Sequence, residues 1–238
     1  MAVAVSGRCR KGDNINRKAV NYTVRVFVQR LLGLLCFLLA ARWSMTWQNW
    51  VYFGSGFVLT AISTIIIYRI DPETLAQRGK IATDSPQWDK ILLFLFWLLN
   101  FFVIFVVAGL ESGGGVTDNI LFWTGMFLSI LSAVMATAAL AVNTYLESTA
   151  RIQTERKQTV VSRGVYGIVR HPAYSAVLLS CIGISLVFAT PHVCMTAAII
   201  AAIIVIRTFL EDRMLEANLD GYAKYAEKVR YRLVPFIW

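Results

Sequence analysis

The stretch Arg163-Gly-Val-Tyr-Gly-Ile-Val-Arg-His-Pro-Ala-Tyr174 is polar and basic, yet it stands between two long apolar regions of the chain. Proline fixes its own φ and disfavours helix at the preceding residue, so a helix is predicted to begin near Pro172, with His171 just outside it. The backbone N–H groups and the dipole of such a helix start attract carboxylates and phosphates. The stretch therefore predicts a ligand site at a membrane surface, and the alternative is that Arg170 and Tyr174 are ordinary interfacial anchors.

The composition is that of an integral membrane protein. Of the 238 residues, 57% are hydrophobic, against ~45–50% in a typical soluble domain, and the excess is gathered into long runs. The net charge of +9 comes from lysines and arginines that stand between those runs, which explains the basic character without a nucleic-acid partner. The four cysteines show no Cys-x-x-Cys spacing and there are only two histidines, so neither a disulfide framework nor a bound metal is predicted.

Six apolar stretches predict transmembrane helices, because a spanning helix needs about 20 mostly apolar residues. The first is the weakest, since Gln29 and Arg30 interrupt it, and five spans remain an alternative. The last two are joined by Pro191 and His192, which predicts a short antiparallel hairpin. The six stretches are residues 26–43, 50–68, 91–110, 120–146, 174–190 and 193–209. The predicted fold class is an all-α integral membrane protein of about six transmembrane helices.

The basic residues predict the topology. With six spans, every basic cluster falls on one side of the membrane, and only Arg42 falls on the other. The positive-inside rule then places both termini in the cytoplasm. The chain divides into a flexible, basic cytoplasmic arm (1–25), N-terminal transmembrane helices (26–150) and a region that carries the site (151–238).

Two segments that connect predicted spans show no pattern of a catalytic or binding site. Asp71 is predicted to cap a short interfacial helix that begins at Pro72. The glycine run at 113–115 follows no strand, so it predicts a flexible loop on the outer side of the membrane and not a phosphate-binding loop.

A second polar cluster lies at the base of the sixth span. Arg207 and Glu211 are one helical turn apart on one face, and the hairpin brings them towards His171 and Tyr174. The cluster predicts one shared pocket, and the alternative is a surface ion pair worth a few tenths of a kcal/mol.

The C-terminal segment is predicted to be an amphipathic cytoplasmic tail with a break at Gly221. Its apolar positions follow helical spacing: Leu215, Leu219, Tyr222, Ala226 and Val229. Such a tail is either a membrane-surface anchor or a lid over the ligand of the Arg163–Tyr174 stretch.

From about Gln153 onward, the chain resembles the isoprenylcysteine carboxyl methyltransferase family and its bacterial and archaeal relatives. The matching residues are Gly164, Val165, Tyr166, Arg170, His171, Pro172, Ala173, Tyr174, Arg207, Glu211, Tyr222, Tyr225, Val229, Arg232 and Pro235. The first half of the chain is similar only as a pattern of apolar runs. The family often has two glutamates where this chain has Glu211 and Asp212.

The resemblance implies a methyltransferase that binds S-adenosylmethionine without a Rossmann domain, in a cytosolic pocket under the tail. A lipophilic methyl acceptor would enter from the bilayer, among membrane lipids. The implied cofactor residues are Gln153, Gln158, Thr159, Val160, Val161, Tyr166, His171, Pro172, Ala173, Tyr174 and Glu211. Arg207 would bind the substrate, and Arg207 and Glu211 are the candidate catalytic residues.

The sequence leaves the chemical class of the methyl acceptor open. A carboxylate, with a reference pKa near ~4, is ionised at neutral pH and needs no general base, which suits carboxyl O-methylation. A small thiol, with a reference pKa near ~8.5, is a further candidate, whereas N-methylation of a phospholipid first requires loss of a proton. Two other classes are a reductase related to the sterol reductases, which would use NADPH, and a membrane protein without enzymatic activity.

Overall fold

The computed structural model describes residues 2–80, 84–111 and 118–238, with side chains from Asn14 onward. The glycine run lies outside these ranges. The described chain is helical and contains no strand. The helices are α1 (Ala2–Ala40), α2 (Trp47–Ile70), α3 (Pro72–Arg78), α4 (Gln87–Leu98), α5 (Ile104–Glu111), α6 (Asn119–Val142), α7 (Pro172–Phe188), α8 (Pro191–Asn218) and α9 (Tyr222–Lys228). A π-helical segment, Leu99–Val103, joins α4 to α5, and two 3₁₀ turns cover Thr154–Arg156 and Gly164–Gly167.

The membrane class is confirmed. Within the described ranges, five helical stretches are long and apolar enough to cross a bilayer: Asn14–Ala40, Trp47–Ile70, Gln87–Glu111, Asn119–Val142 and Pro191–Asn218. The sixth apolar helix, α7, has 17 residues, so it is about 26 Å long, against a hydrocarbon core of about 30 Å. Each predicted span is therefore a helix, and the fifth is the short one.

The N-terminal arm, which was predicted to be flexible, is helical as part of α1. Ala19 is fully buried, and it packs against a small core formed by Ile67, Leu75 and Ala76. Ile15 and Tyr22 add to this contact. One face of the segment is thus apolar at helical spacing and is covered by α3.

Two predicted helix ends differ from those in the structure. The fourth span ends at Val142, because the Asn143 side chain accepts a hydrogen bond from the backbone N–H of Tyr145 and turns the chain. The sixth span continues to Asn218, since Thr208 and Asp212 are buried by the protein and need no membrane cover. The predicted starts at Pro72 and Pro172 are correct, and Asp71 caps α3 through the backbone N–H of Glu73.

The main core lies between the long helices, and its closest crossing is that of α6 and α7. A Cβ placed on Gly125 would come within 2.6 Å of the Gly183 carbonyl oxygen, and a Cβ on Gly183 within 2.7 Å of the Ser129 Oγ. Small residues of this kind let two helix backbones approach closely. This contact holds the C-terminal half of α7 against α6.

The polar parts of the chain meet at one end of the bundle. Arg78 at the end of α3 donates to the Leu146 carbonyl and to the Tyr22 hydroxyl of α1. Ser148 in turn donates to the Arg78 carbonyl. We call this the polar end. It holds α3, the start of α4, residues 143–171 and the chain after Asp212.

Candidate functional site

A cleft opens at the polar end between residues 143–174, the lower part of α8 and the C-terminal tail. Its unfilled space is about 780 Å³ when the solvent at its mouth is included. The residues that line it are Asn143, Tyr145, Leu146, Glu147, Thr149, Arg151, Gln153, Gln158, Thr159, Val160, Val161, Tyr166, Arg170, His171, Ala173, Tyr174, Glu211, Leu215, Leu219, Tyr222 and Tyr225. Every residue that the resemblance assigned to the cofactor lines this cleft, except Pro172, which is buried at the first turn of α7.

Two glutamine side chains, which flank the first 3₁₀ turn, hold this part of the cleft wall. Gln153 is 1% exposed, and its amide donates to the Tyr145 carbonyl at 2.6 Å and accepts from Arg156 at 2.9 Å. The Gln158 side chain accepts from the backbone N–H of Gln153 at 2.8 Å. Both amides therefore shape the wall of the cleft through backbone contacts.

Asp212 is the centre of the charged network behind the cleft, and it is 1% exposed. Arg170 donates to both of its oxygens, at 2.9 and 2.7 Å, and Arg232 donates at 2.7 Å. The Tyr222 hydroxyl donates at 2.8 Å, and the His171 Nε2 lies 3.1 Å from the same carboxylate. One buried carboxylate thus joins α8 to the Arg-His motif and to the tail.

The tail is also tied down through its backbone. The N–H groups of Arg170 and His171 donate to the carbonyls of Tyr231 and Arg232, both at 2.9 Å. The Arg170 guanidinium donates to the Val229 carbonyl at 3.0 Å, which satisfies part of the C-terminus of α9.

The tail packs on the rest of the protein, and this favours its interpretation as a lid over that as a membrane-surface anchor. Leu219, Tyr222, Tyr225 and Val229 form a small core, against which Ile152, Val160 and Leu215 pack. The predicted break at Gly221 is correct: its φ of +83° precedes α9 and suits glycine.

Arg207 lies beside the cleft and not in its lining. It is 4% exposed, and its Nε donates to the Asp89 carboxylate of α4 at 2.8 Å. Another of its N–H groups donates to the Ser148 carbonyl at 2.7 Å, and its guanidinium carbon lies 5.4 Å from the centre of the Tyr174 ring. The ion pair of Arg207 is therefore with Asp89 and not with Glu211, the partner that helical spacing suggested.

Glu211 faces the cleft. Its carboxylate accepts a hydrogen bond of 2.5 Å from the Tyr174 hydroxyl. Arg207 interacts with this carboxylate electrostatically, but its salt bridge is with Asp89.

Two hydroxyls on the cleft wall are buried without a hydrogen-bond partner, those of Tyr166 and Thr149. The Asn143 side chain is near the Tyr166 hydroxyl but outside hydrogen-bond geometry. Buried polar atoms are nearly always satisfied, so unpaired ones on a cleft wall fit a ligand.

Burial keeps the phenols of the cleft protonated. It raises the pKa of Tyr225 to about 12 and holds the pKa of Tyr166 well above its ordinary value. Burial and then the Asp212 charge raise the pKa of Tyr222. Burial opposes the charge on Arg170, but the hydrogen bonds and the charge of Asp212 outweigh it, and the pKa of that guanidinium rises. At neutral pH the tyrosines are hydrogen-bond donors, and Arg170 is a permanent cation.

Several functional positions were missed from the sequence. Residues 143–151 supply one wall of the cleft, but their first part was assigned to the fourth span. Asp89, which is fully buried, was not among the residues predicted to form the site. The available signal was its position at the cytoplasmic base of a predicted span, on the same side as Arg207.

The fold and the cleft define an all-helical membrane protein with a polar cleft at one end. Residues 120–220 match the model of a family described as phospholipid methyltransferase. The match begins in α6, which the sequence related to the family only as an apolar run, and it includes the Arg-His-Pro motif and Glu211. A search among curated proteins found no match. The resemblance to this group of membrane methyltransferases is confirmed, and a membrane methyltransferase is the activity that it supports.

Proposed function

We propose that this protein transfers a methyl group from S-adenosylmethionine to a lipophilic acceptor, with the cofactor bound in the cleft. The observation that carries the proposal is the convergence of three distant segments on one cleft. Residues 153–161, residues 166–174 and Glu211 line it together, and all of them lie within the segment that matches the methyltransferase family.

The chemistry of the cleft fits this cofactor. S-adenosylmethionine carries a sulfonium and an ammonium, and the carboxylate of Glu211, which lines the cleft, suits a cation. The unpaired hydroxyls of Tyr166 and Thr149 suit the polar atoms of a ribose or an adenine. Leu215, Leu219 and Tyr222 provide an apolar cover from the lid side. When it is bound, the cofactor supplies an electrophilic methyl group on a positively charged sulfur.

The protein's contribution would be alignment and the exclusion of water. The tail, tied to Arg170, His171 and Asp212, closes the cytoplasmic side of the cleft. A dry site strengthens the attraction between an anionic acceptor and a cationic donor, and fixed geometry supplies much of the rate enhancement.

A carboxylate acceptor, such as an isoprenylcysteine, is our first candidate. It is ionised at neutral pH, and it requires no base. Glu211 would then remain free to hold the cationic part of the cofactor. Arg207 is balanced by Asp89, so it would orient the acceptor without adding net charge.

An amine acceptor, as in phospholipid N-methylation, is the second candidate, and the description of the matching family favours it. An amine must lose a proton before it attacks. Glu211 is the carboxylate on the cleft wall that could receive the proton, since Glu147 is held by Arg151 at 2.9 Å.

The cofactor is tested by calorimetric titration of the detergent-solubilised protein with S-adenosylhomocysteine and, separately, with NADPH. We expect binding of the first ligand, and a loss of about tenfold or more in the variant Glu211→Gln, since hydrogen bonds to charged groups contribute about 1.5–3 kcal/mol. Glu216→Gln is the matched control, because Glu216 is exposed on the same helix and does not line the cleft. Binding of NADPH alone would assign the chain to the reductases, and binding of neither ligand by folded protein would refute the proposal.

The acceptor is tested with isotopically labelled methyl donor and two substrates, a farnesylated cysteine and phosphatidylethanolamine. A carboxyl methyl ester releases labelled methanol in alkali, whereas an N-methyl group does not. Alkali-labile product from the first substrate supports our first candidate. Stable product from the second supports N-methylation. If neither substrate is methylated and a small thiol is, S-methylation of a thiol would replace both candidate activities.

A further inference from the structure

A second cavity lies at the polar end, between α1 and α3. Its unfilled space is about 630 Å³ with the solvent at its mouth included. It is lined by Lys18, Asn21, Tyr22, Arg25, Ala76, Gly79 and Lys80. None of these residues lines the cleft described above, so the cavity is a separate feature.

The lining is strongly basic. Lys18, Arg25 and Lys80 are exposed cations, and no carboxylate stands among the lining residues. Glu155 interacts electrostatically with Lys80, but Arg151 pairs with that carboxylate at 2.6 Å. The cavity therefore carries a positive potential that its own walls do not neutralise.

The lining also offers directed donors. The guanidinium of Arg25 donates a hydrogen bond to the carbonyl of Gly79, 3.3 Å away. This contact orients the remaining N–H groups of the guanidinium. The Tyr22 hydroxyl accepts from the Arg78 Nε at 3.2 Å, so its own proton is available to a ligand. Asn21 adds an exposed amide. Several donors and three cations around one cavity match the oxygens of a phosphate.

The position of the cavity agrees with a membrane surface. Residues 18–25 come directly before the apolar run of α1, and α3 directly follows the end of α2. Basic pockets at this level between transmembrane helices bind phosphate-containing lipid headgroups.

We propose that this cavity binds a phosphate group, carried either by an anionic lipid headgroup at the membrane surface or by a free phosphate ester. The proposal does not depend on the methyl donor or on the acceptor, because the two cavities share no lining residue.

The test measures lipid retained by the full-length protein. Protein purified in detergent is mixed with phosphatidylglycerol or with phosphatidylcholine, and bound lipid is counted by native mass spectrometry. Phosphatidylglycerol carries no amine, so its retention does not report a methyl acceptor. Inorganic phosphate and glycerol 3-phosphate are added as competitors to separate the two sources. The test variant is Lys18→Gln, Arg25→Gln, Lys80→Gln. The control variant, Arg163→Gln, Lys224→Gln, Lys228→Gln, removes the same charge from exposed positions outside the cavity.

We expect wild-type protein and the control to retain phosphatidylglycerol over phosphatidylcholine. Each cation removed from the cavity should weaken retention by about fivefold. Loss of retention in the test variant, without competition by millimolar glycerol 3-phosphate, identifies a lipid headgroup, and full competition identifies a free phosphate ester. Equal retention of phosphatidylglycerol by the test and control variants, with unchanged thermal unfolding, would overturn the proposal.

Discussion

At the scale of single residues, the buried ion pair between Arg207 and Asp89 connects the third apolar span with the last one. Neither residue is more than 4% exposed, and Asp89 also accepts from the backbone N–H of Ala150 at 2.8 Å. A buried ion pair adds little net stability, but removal of one partner leaves an uncompensated charge. The pair therefore positions the wall of the cleft and constrains which substitutions the site tolerates.

We predict that Asp89→Asn lowers the free energy of unfolding by about 3–5 kcal/mol, because it leaves the Arg207 charge buried and unpaired. Reversible unfolding in mixed detergent measures the change. The control is Asp84→Asn, whose side chain is 62% exposed where it pairs with Arg151, and it should cost less than about 1 kcal/mol. The double variant Asp89→Asn, Arg207→Gln should be more stable than Asp89→Asn alone. Equal losses for Asp84→Asn and Asp89→Asn would contradict the assigned role.

The hydroxyls of two cleft tyrosines are predicted to have different roles. Tyr225→Phe removes a bond of 2.7 Å to the Tyr166 carbonyl, so it should reduce stability by about 1 kcal/mol. Tyr166→Phe removes a hydroxyl without a protein partner, so stability should be unchanged. If that hydroxyl binds the cofactor, affinity for S-adenosylhomocysteine should fall by about 2- to 10-fold. Thermal unfolding and calorimetry separate the two effects, and an unaltered affinity would remove Tyr166 from the proposed site.

At the scale of structural elements, the tail depends on one carboxylate that it does not itself contain. Asp212 in α8 accepts from Arg170, from Tyr222 at the start of α9 and from Arg232 beyond it. The tail is thus fastened at its base and near its end. Loss of the charge would leave two buried or half-buried guanidinium groups without their counterion.

We predict that Asp212→Asn loosens the tail while the helical bundle stays folded. Trypsin should then cut at the exposed residues Lys224 and Lys228 at least about tenfold faster, because cleavage follows the population of the open form. Asp220→Asn is the control, since Asp220 is exposed just after α8, and its cleavage rate should match that of wild-type protein. Electrophoresis of timed digests provides the measurement. An unchanged rate for Asp212→Asn would mean that backbone contacts alone hold the lid.

Local sequence patterns predicted where most helices begin, but they did not predict which distant residues pair. The φ preferences of Pro172 and Gly221 predicted a helix start and a helix break, respectively. In the structure α7 begins at Pro172, and Gly221 lies between α8 and α9. In contrast, Asp89 and Arg207 are 118 residues apart, and nothing in local spacing relates them. The motif residues of the site were found because they cluster in sequence. The wall at residues 143–151 was not found, because it begins where α6 ends. The apolar run did not determine that end.

At the scale of the whole molecule, the distribution of charge predicts which side of the membrane holds the cleft. No lysine or arginine occurs between Lys90 and Arg151 or between Arg170 and Arg207. The corresponding end of the bundle carries the contact between Glu111 and His192. The polar end holds the basic connections, so the positive-inside rule predicts that the cleft and the cavity between α1 and α3 face the cytoplasm.

We predict this sidedness for a cysteine-free chain into which single cysteines are introduced. Ser162→Cys lies at the polar end and Asn119→Cys at the start of α6 on the opposite end, and both positions are exposed. A membrane-impermeant maleimide should label Asn119→Cys in intact expressing cells and Ser162→Cys only after permeabilisation. Circular dichroism and retained S-adenosylhomocysteine binding check that each variant is folded. The reverse labelling pattern would place the cleft outside the cell, where the soluble methyl donor is not supplied, and it would require a different cofactor for the same geometry.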